Sequence, residues 1–282
     1  MNETARKLSI GYSPCPNDTF IFYALMHGRI SLPDISFAKE LLADVETLNQ
    51  WALEGRLDVT KLSFHALGHV LDEYVLLNSG SALGRGCGPL LVTRKKFGMS
   101  TVSDKTIALP GKMTTATMLF RLFAPECNKL VFMPFHEIMP AIKNGAVDAG
   151  IIIHESRFTY ENYGLQLVQD LGQWWETETG YPVPLGGIVA RRALGPKTIA
   201  AIDRAIAFSI RWAFENPGAC RAYINEHAQE LARNVIDDHI GLYVNSFSEN
   251  LGEEGVLAVR EFLNRGNETG IFKLKGDLTE IL

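Results

Sequence analysis

One histidine, His154, directly follows the apolar run Ala149–Ile153. The run predicts a buried parallel strand, and ligands of open α/β sheets bind where such strands end. Because the unperturbed pKa of histidine lies near neutrality, His154 is suited to proton abstraction. A hydrogen-bonded structural histidine has the same sequence pattern. From the residues alone, both interpretations stay open.

An anion site is predicted at Pro110–Thr117, which runs from a predicted strand into a predicted helix. The first amides of a helix have no intrahelical acceptor, so these amides and the hydroxyls of Thr114 and Thr115 can bind a carboxylate. The segment is not a phosphate-binding P-loop, because Met113 follows Lys112 where that motif requires serine or threonine. A simple helix cap is the alternative interpretation.

Two further polar segments are predicted at strand ends nearer the amino terminus. Thr60–Ser63 contains Lys61, which either pairs with an anion or lies solvated at the surface, and it ends in a serine hydroxyl that can donate a hydrogen bond. Ser13–Phe20 joins the first predicted strand to the first helix, and two prolines rigidify this turn. Turn chemistry alone also explains Ser13–Phe20.

Several other patterns are typical of binding sites but have structural explanations. The glycine-rich segment Gly84–Gly88 leads into a strand rather than a helix, so it predicts a hinge turn and not a dinucleotide site. His65 and His69 share a helix face, yet no third metal ligand is evident beside them in the sequence. Trp174 and Trp175 either cover an aromatic substrate or cap the second half of the protein.

The cysteine pattern predicts neither a disulfide nor a metal site. The cysteines are far apart and form no CxxC pair, which is typical of reduced thiols. They are Cys15, Cys87, Cys127 and Cys220.

Composition and charge exclude several classes of protein. With 282 residues, 46% of them hydrophobic, the chain is long enough for one large or two medium domains. Its formal net charge of −5 supplies no clustered positive field of the kind that nucleic acid or an anionic membrane requires. No apolar stretch has the length of a signal peptide or a membrane span, so we expect a cytoplasmic protein without membrane insertion. The sequence leaves the oligomeric state open.

Strand and helix signals alternate in two series, which predicts an α/β protein with two sheets. The first series is predicted as strand 8–12, helix 18–27, strand 35–41, helix 44–54 and strand 58–63. The second is predicted as strand 106–109, helix 114–123, strand 130–133, helix 136–144 and strand 149–153. Helices are then predicted, as a cover for the first sheet, at 197–215, 217–227, 237–250 and 253–265.

Two extended apolar segments, 89–95 and 184–192, bracket the second series. We interpret them as paired crossover strands with a hinge near Val92 and Ile188. A ligand cleft is expected where the strand ends of the two lobes face each other. The predicted plan is a first lobe at 1–92, a second lobe at 93–187 and a return to the first lobe at 188–282.

Ordered motifs in both predicted lobes resemble the 1,4-dihydroxy-6-naphthoate synthase family of the futalosine route to menaquinone. These motifs are 13–20 (SPCPNDTF), 22–25 (FYAL), 44–49 (DVETLN), 60–63 (TKLS), 82–86 (ALGRG), 110–111 (PG), 114–116 (TTA), 150–160 (GIIIHESRFTY), 170–172 (DLG) and 174–175 (WW). The resemblance implies an α/β, two-lobed periplasmic-binding-protein-like (type II) fold with a central ligand cleft. It also implies cleavage of a carbon–carbon bond in cyclic dehypoxanthine futalosine to give 1,4-dihydroxy-6-naphthoate, with no cofactor.

The resemblance further implies which residues form the site. His154 is the implied general base, acting on a carboxylated small-molecule substrate. The implied substrate contacts are Lys61, Leu62, Ser63, Thr115 and Ala116. Weaker candidates for the cleft wall are Asn17, Asn49 and Arg85.

Two alternative functions share the expected fold. Chorismate dehydratase of the same pathway uses a smaller substrate and is expected to lack the pattern at 150–160. A solute-binding protein of a transporter is expected to carry an export signal, and the amino-terminal sequence shows no such pattern. The sequence therefore favours the synthase over both.

Overall fold

The computed structural model describes residues 6–228 and 232–282. Its strands are β1 (Arg6–Leu8), β2 (Ile10–Tyr12), β3 (Ile35–Phe37), β4 (Leu41–Leu42), β5 (Val59–Ser63), β6 (Tyr74–Leu76), β7 (Ala82–Gly84), β8 (Leu90–Thr93), β9 (Ile107–Leu109), β10 (Leu130–Phe132), β11 (Ala149–Ile152), β12 (Gln166–Asp170) and β13 (Val183–Arg191). Its helices are α1 (Pro16–Met26), α2 (Val45–Leu53), α3 (Phe64–Leu67), α4 (Thr115–Phe123), α5 (Phe135–Asn144), α6 (Ser156–Thr159), α7 (Leu171–Thr179), α8 (Pro196–Glu215), α9 (Pro217–His227), α10 (Arg233–Tyr243), α11 (Ser246–Glu249) and α12 (Gly252–Glu268). The predicted α/β organisation with two main sheets is confirmed.

The first sheet has six strands, in the order β4-β2-β5-β13-β6, with β7 also paired to β13. Strand β5 runs parallel to β2 and antiparallel to β13, which places Ser63 opposite Gly186. A Cβ atom on Gly186 would lie 2.6 Å from the carbonyl oxygen of Leu62. Glycine therefore lets β13 approach the carboxyl end of β5 closely.

The second sheet has five strands, in the order β10-β9-β11-β8-β12. Strand β11 is parallel to β9 and antiparallel to β8, and all four of its residues are buried. This central position explains why the sequence of β11 is an uninterrupted apolar run. The residues after it emerge at the edge of the sheet that faces the first lobe.

The chain passes between the two sheets twice. Val92 and Ile188, where the sequence predicts a hinge, both lie within hydrogen-bonded strands. The passages themselves precede these strands, at 85–89 and 180–182. At the first passage Gly88 packs against the backbone of Gly172, where a side chain on either residue would clash. The predicted lobe boundaries along the sequence stay a prediction.

Helices α8–α12 follow β13, and α8 and α9 pack on α1 of the first lobe. The prediction of one helix over 237–250 is wrong, because α10 ends at Tyr243 and α11 starts at Ser246. Asn245 has extended backbone, and its side chain accepts a hydrogen bond from the amide of Phe247. A strong N-cap thus begins a new helix inside the predicted one.

The largest hydrophobic core extends from one lobe into the other. It joins residues of β5 and α3 to residues of β9, α4 and α12. Within the described ranges, no helix is long and apolar enough to cross a membrane.

Candidate active site

A cavity between the two sheets is lined by residues of both lobes and encloses about 680 Å³, including its open mouth. This size is typical of a small-molecule site. Its polar lining includes residues at the end of β5, at the start of α1 and α4, and the residue that follows Ile153. The predicted site residues that line it are Asn17, Lys61, Leu62, Ser63, Thr115, Ala116 and His154.

His154 stands at the cavity wall just beyond β11, with its backbone in the left-handed region at a φ of 56°. That conformation is uncommon for a residue with a side chain and is often found at functional sites. Its Nδ1 atom lies 3.6 Å from Sγ of Cys15, while Nε2 has no hydrogen-bond partner among the described residues. Burial lowers the pKa of His154, so the ring is neutral at pH 7 and retains a lone pair.

The unpaired hydrogen-bond donors at the start of α4 are backbone amides rather than hydroxyls. The Thr114 hydroxyl accepts a hydrogen bond from the amide of Thr117 and caps the helix. The Thr115 hydroxyl donates to the carbonyl of Leu185 at 2.6 Å. In the part of the chain that the structure describes, the amides of Thr115 and Ala116 have no acceptor. Their N–H groups, and not the predicted threonine hydroxyls, are therefore available to a ligand.

The carboxyl end of β5 is fixed by its neighbours. Lys61 Nζ donates to the Asp18 carboxylate at 2.8 Å and to the carbonyl of Gly80 at 3.3 Å. Both members of the Lys61–Asp18 ion pair are buried, so the lysine charge is already compensated. Asn49 accepts a hydrogen bond from the amide of Ser63 and donates one to its Oγ atom. The hydroxyl proton of Ser63 remains free to point at a ligand.

A further polar group, His239 on α10, also lines the cavity and was not predicted. Asn17 donates its amide hydrogen to Asp18, so its Oδ1 atom must accept from Nε2 of His239. Burial lowers the pKa of His239 to about 3, which leaves the ring neutral. Nδ1 is then an acceptor without a partner among residues 6–228 and 232–282. A lone histidine in a helical pattern, far along the chain from Asn17, gives no local signal of this contact.

The sequence comparison identifies the family of this two-lobed protein. Residues 8–268 match the family model described as Menaquinone biosynthesis. The chain belongs to that family. Over 278 residues it is 48% identical to the 1,4-dihydroxy-6-naphtoate synthase of Streptomyces coelicolor, with 97% of each chain covered. It is 49% identical over 268 residues to the Thermus thermophilus protein of the same name, covering 94% of this chain and 95% of the relative.

Solved structures place this menaquinone biosynthesis family member in a known fold. Protein AF1704 from Archaeoglobus fulgidus superposes with a TM-score of 0.88 and 34% identity, covering 94% of this chain and 98% of that one. The periplasmic aliphatic sulphonate binding protein SsuA from Escherichia coli superposes with a TM-score of 0.66 and 13% identity, covering 99% and 92%. Identity this low shows the fold alone. The predicted periplasmic-binding-protein-like fold is confirmed.

Two predicted site residues do not line the cavity of this family member. Asn49 does not line the cavity, but it hydrogen-bonds to Ser63, which does. Arg85 is half exposed and pairs with Glu254 at 2.9 Å. Its guanidinium also donates to the carbonyl of Gly180, so its contacts lie outside the cavity.

The tryptophan and histidine pairs singled out in the sequence lie outside the cavity. Trp175 is fully buried against Phe262, and Trp174 packs on Phe123. The tryptophans thus do not cover the cavity, and Trp175 packs α7 against α12. The rings of His65 and His69 lie 5.6 Å apart beside Phe272 and form part of the core packing.

Proposed function

We propose that this protein is a 1,4-dihydroxy-6-naphthoate synthase, a carbon–carbon lyase acting on cyclic dehypoxanthine futalosine. Two relatives of that name are nearly half identical to it over almost their whole length. The observation that carries the proposal is the position of His154. It lies in one cavity with free helix amides and a serine hydroxyl, as a lyase for a carboxylated substrate requires.

His154 acts as the general base in this proposal. A neutral imidazole with an unpartnered Nε2 can accept a proton from the substrate as the carbon–carbon bond breaks. The sugar-derived fragment leaves, and the product ring becomes aromatic, which supplies driving force from the substrate itself. The surrounding groups then need to orient the substrate and exclude water.

The substrate carboxylate is held between the lobes. Ser63 donates from β5, and the amides of Thr115 and Ala116 donate from the start of α4. Lys61 has a third N–H besides the two that bind Asp18 and Gly80, so it contributes a hydrogen bond rather than an uncompensated charge.

Incubation of the purified protein with cyclic dehypoxanthine futalosine, followed by mass spectrometry of the products, tests the proposal. We expect 1,4-dihydroxy-6-naphthoate to accumulate catalytically and chorismate to remain unchanged. Turnover of chorismate instead would identify a chorismate dehydratase. Tight binding without any product would identify a solute-binding protein.

A further inference from the structure

His154 also lines a second, smaller cavity of about 410 Å³, including its open mouth. Cys15, at the start of α1, and Glu155 share this cavity with it. The sequence predicted no metal site because the cysteines have no nearby partner cysteine. The fold, however, brings Cys15 next to a histidine that is 139 positions away.

The three side chains have the spacing of a metal site. One ligand atom each from Cys15, His154 and Glu155 can be chosen so that all lie within 4.8 Å of one another. The Sγ–Nδ1 distance is 3.6 Å. A tetrahedral zinc ion with Zn–S of roughly 2.3 Å and Zn–N of roughly 2.0–2.1 Å holds these two atoms about 3.6 Å apart. The observed separation therefore needs little change to admit the ion.

Glu155 supplies an independent indication of a ligand. Only 9% of this residue is exposed, and its Oε2 atom has no hydrogen-bond partner in the described part of the chain. A buried carboxylate oxygen without a partner is costly, so it calls for a cation or a donor. Asp44 also lines this cavity, but its carboxylate already accepts hydrogen bonds from the amides of Glu46 and Thr47.

We propose that Cys15, His154 and Glu155 bind a zinc-like divalent cation, and that this cation reversibly inhibits the enzyme. A thiolate, a carboxylate and a neutral imidazole bring two negative charges, which balance the charge of the ion in a buried site. Thiolate and imidazole ligands favour zinc over magnesium or calcium. The cavity has room for a water molecule as the fourth ligand.

The inhibition follows from the chemistry of imidazole and rests on the proposed role of His154. On binding, the thiol of Cys15 releases its proton to solvent, and the imidazole proton moves from Nδ1 to Nε2, so that the lone pair of Nδ1 binds the cation. The remaining ring proton then resides on Nε2, because a neutral imidazole has one N–H and one lone pair. Nε2 can no longer accept a proton from the substrate.

Cobalt(II) titration of the metal-free, full-length enzyme tests the binding step without any turnover. We expect about one equivalent to bind, with a thiolate-to-cobalt charge-transfer absorption that Cys15→Ser abolishes. Zinc affinity, measured by competition with a chromophoric chelator, should fall by more than about 100-fold in Cys15→Ser. This loss exceeds the roughly 10- to 100-fold decrease that is typical when a residue that only hydrogen-bonds to a metal ligand is removed. Glu155→Gln should also weaken zinc binding.

Cys127 is a matched control, because it is another buried free cysteine and lies outside both cavities. Cys127→Ser should retain the charge-transfer absorption, the zinc affinity and the wild-type turnover. Persistence of the absorption in Cys15→Ser, or its complete absence from the wild type at saturating cobalt, would overturn the site.

Turnover in the presence of zinc tests the inhibitory role separately. Wild-type activity should fall as zinc saturates the site and return when a chelator is added. Full activity with zinc bound would overturn the inhibition. If the protein binds the cation but converts no cyclic dehypoxanthine futalosine, the metal site stands and the proposed function fails.

Discussion

At the scale of single residues, the left-handed backbone of His154 is held in place by the segment that follows it. Arg157 donates to the carboxylate of Asp170 at 2.8 Å and to the carbonyl of Gly88. These contacts tie the turn after β11 to the first passage between the sheets. The left-handed backbone conformation of a non-glycine residue costs about 1–3 kcal/mol. The contacts around His154 must therefore stabilise it by at least that much. With this backbone conformation, His154 lies at the cavity wall.

Replacing His154 with glutamine is expected to impair turnover selectively. Glutamine keeps a polar side chain of similar size but cannot serve as a comparable base, so kcat should fall by about 10²–10⁴. Binding of a product analogue and the melting temperature should change little. All three quantities should be measured on one preparation.

The exposed His136 supplies the control for that substitution. His136→Gln should leave kcat, analogue affinity and melting temperature unchanged. A folded His154→Gln protein with near-wild-type kcat would show that His154 is structural.

Residues beside predicted strands were easier to find than their partners. His154 follows an apolar run and Ser63 ends a predicted strand, so their approximate places could be derived from the sequence alone, while their roles came from the family resemblance. Asp18 and His239 have no such signal. Asp18 meets Lys61 across 43 positions, and His239 meets Asn17 across 222. Contacts of this range depend on the tertiary fold, which a local pattern does not encode.

At the scale of elements, the predicted helix at 44–54 starts close to where α2 does. Asp44 caps α2, because its side chain accepts hydrogen bonds from the amides of Glu46 and Thr47. The error at 237–250 has a tertiary cause, since Asn245 also donates to the carbonyl of Leu83 in β7. The break between α10 and α11 thus depends on a strand that lies far away in the sequence.

Helix α2 positions the end of β5 through Asn49, and we expect Asn49→Ala to weaken both the fold and substrate binding. Its two hydrogen bonds to Ser63 are buried, so the amide of Ser63 would lose its partner at a cost of about 1–3 kcal/mol. Ser63 would also lose its fixed orientation, so KM should rise more than kcat falls. Urea unfolding and steady-state kinetics measure these effects.

Glu54, at the exposed end of the same helix, offers a control that does not reach the site. Glu54→Ala should leave both KM and stability close to the wild type. An unchanged KM in Asn49→Ala would mean that Ser63 does not depend on α2 for its orientation.

At the scale of the whole molecule, Glu46 joins the lobes across the cleft. Its carboxylate, on α2, accepts hydrogen bonds from the amides of Lys112 and Met113 in the second lobe. A second bridge runs from Nδ1 of His65 to the carbonyl of Thr114, at 3.2 Å. The two lobes are therefore in direct contact beside the cleft, and we expect them to separate further when these contacts are released.

Removing the Glu46 bridge should shift the protein toward an open form. In Glu46→Ala, small-angle scattering without ligand should give a larger radius of gyration than the wild type, and KM should rise. A product analogue should compact both proteins to the same size. Glu73→Ala, which removes an ion pair with Arg191 within the first lobe, should scatter like the wild type. Identical profiles for Glu46→Ala and the wild type, with and without ligand, would contradict a bridge that governs opening.

The burial of His65, rather than its hydrogen bond to Thr114, makes the stability of the protein depend on pH. Burial, followed by the nearby His69, lowers the pKa of His65 from 6.5 to about 4 in the folded protein. Between these values the unfolded chain binds the proton more readily, so the contribution of His65 to stability is complete above pH 6.5 and is lost as the pH falls toward 4. A shift of this size corresponds to about 3 kcal/mol. The unfolding free energy from urea titrations should therefore decline over this range, and His65→Asn should flatten the decline while His136→Gln should not. If the unfolding free energies of the wild type and His65→Asn decline equally as the pH falls, protonation of His65 does not control the stability of the protein.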